Sequence, residues 1–313
     1  MTEGVLLVFI DGIGCGHDGV ENPFSGMHLD VLGPLGGRGA PTFPGAHLVP
    51  IDASLGYAGL PQSATGQGVL FTGEDLIGPI GGHWPAQPTR GLGQKIAEYS
   101  FLRRAREAGL RSGFLNAYDD ARSAHLDRVV RGVEPAKRRF APSASTWTAL
   151  AGGGSLRTFA DVDAGRAATF DLTGELLRAH GVAAPKRTLA EAARAIAAAS
   201  SELDVALFEL FLTDVAGHSQ NVDFARFEIE KTDRFLSALF RAIDPRAQTV
   251  VVTSDHGNLE NLATKSHTNA KIPLISYGKD ALAYTSARDL RDIVPRMLPR
   301  CRAERNVGTV RSP

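Results

Sequence analysis

The chain has 313 residues, 43% of them hydrophobic and 22% charged, and its 34 Lys+Arg balance 34 Asp+Glu. That balance excludes a global field for holding nucleic acid or an anionic membrane, so an anionic ligand has to be held locally. Two cysteines, Cys15 and Cys301, are too few for a disulfide framework or a thiolate metal site.

In chain order, Val5 to Ile10 is an unbroken apolar run stopped by Asp11-Gly12. It reads as a buried strand, too short for a signal segment or a membrane span. No other run approaches the roughly 20 apolar residues that a spanning helix needs, so a cytoplasmic protein is expected. The Gly- and Pro-rich stretch from Gly12 to Pro50 reads as a long surface loop. Pro61-Gln62-Ser63, followed by Val69-Leu70-Phe71, reads as a turn opening a helix with Ser63 at or near its N-cap. His83, in Gly-Gly-His-Trp-Pro, is a candidate for the ligand crevice, although a loop histidine packed beside Trp84 is the plainer reading.

Gly113 to Leu115 is a second strand-like run. From Tyr118 to Pro185 the texture becomes rich in Arg, Ser, Gly and Asp, with Gly152-Gly153-Gly154 and no strong strand run. Residues 118–185 are therefore expected to form an inserted cap, or a loop-rich excursion, within a core made of 1–117 and 186–313. Arg122, Arg128, Arg131, Lys137, Arg138 and Arg139 could clamp a phosphorylated substrate or form a solvated basic face. Beyond the segment, Thr188-Leu189-Ala190-Glu191 is a capping box opening an alanine-rich helix. Phe224, Phe227, Phe235, Leu236, Leu239 and Ile243 mark one apolar face of a later helix.

Three further apolar runs, Val205 to Leu212, Thr249 to Val252 and Ile272 to Ile275, lack alternation. Such runs suit strands covered on both faces, giving an α/β fold with helices sandwiching a mostly parallel sheet. In that architecture side chains just beyond the strands' carboxyl ends converge on one crevice. Asp11 follows the first run, Asp214 and His218 the run from Val205, and Asp255-His256 the run from Thr249, while His267 precedes the last run. Each alone has an ordinary reading as a cap or a satisfied polar group. Together they form an O/N donor set large enough for two divalent ions, with Mn²⁺, Zn²⁺ and Mg²⁺ all suited.

These segments resemble the alkaline phosphatase superfamily, and most nearly its cofactor-independent phosphoglycerate mutase and phosphopentomutase branch. The resemblance rests on Val-Phe-Ile-Asp11-Gly-Ile-Gly, Ser63-Ala-Thr-Gly-Gln, Asp214-Val-Ala-Gly-His218, Thr-Ser-Asp255-His256-Gly-Asn and Ser-His267-Thr, in that order. It implies a three-layer α/β/α core and two divalent ions. Asp214, His218 and His267 would hold one ion, and Asp11, Asp255, His256 and the Ser63 oxygen the other. Ser63 would be the nucleophile and form a phosphoserine, with Thr65 as its rival or a substrate contact. The substrate would be a small phosphorylated metabolite, and the enzyme a phosphatase or a phosphomutase. Where the mutase pattern has Glu-Val-Gly-His after the nucleophile, this chain has Ala64-Thr65-Gly66-Gln67, and the mutase's Asp-Gly-Arg-Asp segment is missing. Both departures argue against phosphoglycerate. A phosphodiesterase or sulfatase-like hydrolase on the same core, or a non-catalytic metal-binding relative, is the alternative.

Overall fold

The computed structural model describes residues 4–37, 39–136 and 141–298. Its strands are β1 (Gly4–Ile10), β2 (His47–Ile51), β3 (Ser112–Phe114), β4 (Ala117–Tyr118), β5 (Arg157–Thr158), β6 (Val205–Leu210), β7 (Gln248–Thr253) and β8 (Ile272–Gly278). Six of them form one sheet in the order β2-β8-β7-β1-β6-β3. The three central and inner pairings, β1 with β6 and β7 and β3 with β6, are parallel, whereas β8 runs antiparallel to β7 and β2 antiparallel to β8. Strands β6 and β7 are buried along their whole length, as runs without alternation require. Two hydrophobic clusters cover the two faces, one containing Leu7, Phe9 and Phe71 and the other Leu6, Val8 and Phe208. The fold is thus the mostly parallel α/β/α sandwich expected from the apolar runs.

The direction of β8 decides where His267 goes. Because β8 returns antiparallel beside β7, its first residues lie level with the end of β7, as the pairing of Leu274 with Thr253 shows. A residue just before β8 therefore shares the crevice with residues just after β7.

Two local expectations need correction, whereas Ser63 lies next to the N-cap as expected. The stretch from Gly12 to Pro50 is no surface loop, because Phe24, Val31, Leu32 and Leu35 are buried in the core and its end forms strand β2. Ser63 is the first residue of the Ser63–Thr72 helix, and Gln62 is the N-cap. Phe227 lies outside the buried face of the Val222–Ala242 helix and is 60% exposed, beneath the Lys231 ammonium. The capping box of the Leu189–Ser201 helix is present with both of its hydrogen bonds.

Within 118–185 the elements are short. β4 and β5 make a separate two-stranded parallel sheet, contacted by the Asp120–Val130 and Phe159–Asp163 helices, and the Ala144–Leu150 and Glu175–Ala179 helices complete the segment. Trp147 and Leu150 belong to the same hydrophobic cluster as the Ser63–Thr72 helix, while Ala117, Val162 and Ala167 form a small cluster of their own.

Candidate metal centre

Asp11 leaves β1 through a backbone hydrogen bond to Leu210 on β6, and the Thr213 hydroxyl donates to its carbonyl at 2.6 Å. The chain then turns at Gly12, whose φ of 72° suits glycine, and a Cβ there would lie 2.6 Å from Asp214 Oδ1. Gly66 is needed for a similar reason, since a Cβ would lie 2.8 Å from the Asp255 carbonyl oxygen. These two absences of side chain let the β1 turn, the Ser63 helix and the β7 turn close on one point.

One donor group is Asp214, His218 and His267, with ligand atoms within 4.8 Å of one another. His218 Nδ1 donates to the Lys265 carbonyl at 2.7 Å and His267 Nδ1 to the Pro61 carbonyl at 2.9 Å. Carbonyls only accept, so each neutral ring presents its Nε2 lone pair. The two Nε2 atoms face each other at 3.2 Å, beside the Asp214 carboxylate at 3.3 and 3.8 Å. Two lone pairs in that position are mutually repulsive, and a shared cation converts them into ligands. Asn258 fixes the acid by donating to Asp214 Oδ1 at 2.6 Å.

The second group is Asp11, Asp214 and His256, so Asp214 serves both. His256 Nε2 lies 3.0 Å from Ser63 Oγ, 3.3 Å from Asp11 Oδ1 and 3.5 Å from Asp255 Oδ2. Asp255 and His256 are fully buried. Burial and the Asp255 and Asp214 charges push the Asp11 carboxyl well above the usual carboxylate range, and its buried Oδ1 has only the His256 ring nitrogen, 3.3 Å away, beside it. Burial alone would lower His256, but the Asp255 and Asp11 charges outweigh it and push the imidazole up to about 10. A buried carboxylate oxygen among three acids, with only the His256 imidazole beside it, is what a cation site leaves behind in the protein's own atoms. The donor chemistry fits two divalent ions.

Of the residues singled out in the sequence, Asp11, Ser63, Asp214, His218, Asp255, His256 and His267 therefore come together. Thr65 does not: its hydroxyl donates to the Gln62 carbonyl and accepts from the Trp84 amide, and it is fully buried. His83 packs edge-on to Tyr57 with both ring nitrogens buried and unpartnered, away from the cavity lining. Arg138 and Arg139, with Lys137, lie outside the described residues. Arg128 and Arg131 make exposed ion pairs with Glu134 and Asp127, and Arg122 lines the cavity.

Three functional candidates escaped the sequence reading. Gln67 donates from one amide nitrogen to both Asp11 Oδ2, at 3.2 Å, and Asp255 Oδ2, at 3.0 Å, holding together two acids that repel. Glu260 accepts from the Gly14 and Asn258 amides, each at 2.9 Å, and from the Thr268 hydroxyl, tying the loop after β1 to the connection between β7 and β8. Glu209, on β6, accepts from Ser145 at 2.6 Å and lines the cavity; burial, reinforced by the Asp255 charge, pushes it up to about 7. A single acid inside the apolar run Val205 to Leu212 was the available signal.

The donor groups open into a cavity of about 530 Å³ reached by Asp11, Ser63, Gln67 and Asp214. No described helix is long and apolar enough to cross a membrane.

Comparison with known proteins gives a consistent result. Residues 174–304 match the model of the metalloenzyme superfamily. A 106-residue stretch is 33% identical to the 2,3-bisphosphoglycerate-independent phosphoglycerate mutase of Shewanella pealeana, covering 32% of this chain and 20% of that enzyme. A 92-residue stretch is 32% identical to the enzyme of the same name from Cronobacter sakazakii, covering 27% of this chain and 18% of that enzyme. The match thus spans far less than the length of these relatives. In fold, the chain is similar to the alkaline phosphatase of the Antarctic bacterium TAB5, with a TM-score of 0.52 at 13% identity over 96% of this chain and 99% of that one. The cold-active alkaline phosphatase of a psychrophilic Shewanella gives 0.53 at 11% identity over 95% and 99%.

Proposed function

We propose that this chain, similar over residues 174–304 to the metalloenzyme superfamily, over a shorter stretch to phosphoglycerate mutases and in fold to alkaline phosphatases, transfers the phosphoryl group of a phosphate monoester to Ser63. The observation that carries this reading is the Ser63 hydroxyl, 3.0 Å from His256 Nε2, at the first turn of a helix and in the same cavity as the donor groups for cations.

Asp214, His218 and His267 would hold one divalent ion, and Asp11, His256, Asp255 and Ser63 the other, with the Asp214 carboxylate within reach of both. Bound there, the ions supply charge neutralisation at the phosphate and a lowered pKa for the serine hydroxyl. The chain's own contribution is positional. The first-turn amides of the Ser63–Thr72 helix have no intrahelical acceptors and point towards an anion placed at Ser63. Ser63 Oγ forms a bond to phosphorus as the ester oxygen leaves with the electron pair of the broken P–O bond. The resulting phosphoserine then passes its phosphoryl group to water, as a phosphatase, or to another hydroxyl of the retained alcohol, as a mutase.

The test is turnover of p-nitrophenyl phosphate with Mn²⁺, Zn²⁺ or Mg²⁺, before and after a chelator, followed by acid quenching and peptide mapping. Metal-dependent release with phosphate trapped on the Ser63 peptide is expected. Label on Thr65 would move the nucleophile, and full activity in Ser63→Ala would remove the covalent step. A screen of phosphorylated metabolites that records free phosphate and isomerised product separates phosphatase from mutase.

A further inference from the structure

The cavity beside Ser63 is walled by aromatic and aliphatic side chains, most of them half-buried, with Leu126 buried and Val215 exposed. Phe159, Phe170, Phe211, Leu126, Leu177 and Val215 all line it. Phe170 and Phe211 stack with centroids 4.6 Å apart and planes at 25°. Phe211 immediately precedes the Leu212–Ser219 helix, so the ring wall and the metal donor Asp214 sit three residues apart on one piece of chain. A phosphate at Ser63 and Asp214 thus places its organic group against the rings.

Charge narrows that group further. Among the described lining residues, Asp11, Asp119, Glu209 and Asp214 are acidic and Arg122 is the basic one. The acids nearest Ser63 are the ion donors, so among the described lining residues Arg122 alone is left to meet a second anionic group such as a carboxylate. A volume of about 530 Å³ is also more than a three-carbon phosphate fills. Apolar walls and a stacked ring pair, in a cavity of that size, match a ring rather than a short hydroxy acid.

We propose that the substrate is a phosphate monoester whose organic group carries an aromatic ring, stacked on Phe170 and Phe211. This rests on the phosphoryl-transfer reading above, and two measurements keep the two apart. The first compares 3-phenylpropyl phosphate with propyl phosphate on the metal-loaded enzyme. Both leave as primary alkoxides of nearly the same basicity, so a difference in kcat/KM reports the ring contact. A preference of tenfold or more for the phenyl compound is expected, carried by KM, and Phe170→Ala should reduce that ratio at least fivefold. Phe170→Tyr, which keeps a ring, should restore it, so a misfolded alanine variant does not decide the outcome. Equal kcat/KM for the two esters in the wild type, or a ratio unmoved by Phe170→Ala, overturns the proposal.

The second measurement is calorimetric binding of phenylphosphonate and methylphosphonate, which cannot be hydrolysed. Tighter binding of phenylphosphonate, lost in Phe170→Ala, upholds the ring site even where neither ester is turned over; in that case the phosphoryl-transfer reading fails by itself. Equal binding of both phosphonates overturns the ring site while leaving the ion site standing. Binding of neither overturns both.

Discussion

Asp11, Asp214, Asp255 and His256 are presented by the ends of β1, β6 and β7 or the first turn beyond them, whereas Leu126, Phe159, Phe170 and Leu177 come from short helices and loops of 118–185. The first set is placed by the ladder of the parallel strands, whose register aligns Ile10 with Leu210 and Phe9 with Thr253. Small changes in one side chain cannot move those positions. The second set is placed by local packing of elements mostly five to eleven residues long. Chemistry is therefore expected to be sensitive to single ligands and tolerant of the 118–185 segment, and substrate choice the reverse.

The largest effect should come from Asp214, the donor common to both groups. Asp214→Asn should lose both ions by elemental analysis and lower activity by on the order of 10³-fold, since several kcal/mol of transition-state stabilisation depends on them. Ser63→Ala should lose as much activity while keeping its metal. Retention of both ions by Asp214→Asn would break the contrast between the two sides of the cavity.

Glu209 tests where the two sides meet. Its carboxyl is raised from 4.5 unfolded to about 7 folded, so between those values the folded chain holds the proton more tightly. Its stabilising contribution is full below pH 4.5 and is lost as pH rises through 7, a change of about 3 kcal/mol by linkage. In chelator-treated protein, denaturant unfolding should show Glu209→Gln gaining on the wild type by that order between pH 4.5 and 8. Parallel stability curves would mean that the carboxyl is solvated.

A smaller effect is expected at Gln67, whose amide bridges Asp11 and Asp255. Gln67→Met keeps the length and removes the donor. It should weaken the ion at Asp11 and His256 roughly tenfold, the usual cost of losing an outer-shell partner. The ion at His218 and His267 should be spared, and titration calorimetry resolves the two. Equal weakening of both would show that Gln67 acts on the whole centre rather than on one acid pair.

These contrasts explain what could be read in the sequence. Asp11, Asp214, Asp255 and His256 were legible because an apolar run without alternation announces a buried strand, and a polar residue directly after it has to lie at the sheet edge. His267 was legible by position, although the reason it reaches the crevice, the reversal of β8, was not. The buried path of residues 12–50 was hidden because Gly and Pro mark turns without saying whether the turns lie over solvent or under a helix. Gln67 and Glu260 act through partners 56 to 246 residues away in sequence, and no local spacing reports that. Phe170 and Phe211 carried no signal of their own, since only the fold brings the two rings together at the cavity wall.

Glu260 has one more consequence. Its carboxylate gathers the Gly14 and Asn258 amides and the Thr268 hydroxyl, so the long connection that carries Asp255, His256 and His267 is already stitched to the β1 turn by protein contacts alone. An arriving ion then freezes few backbone torsions, and little of its binding energy is consumed in ordering the chain. Metal exchange in this protein should accordingly be a matter of dehydration and ligand deprotonation, with the loop behaving as a socket rather than as a segment that folds around its ion.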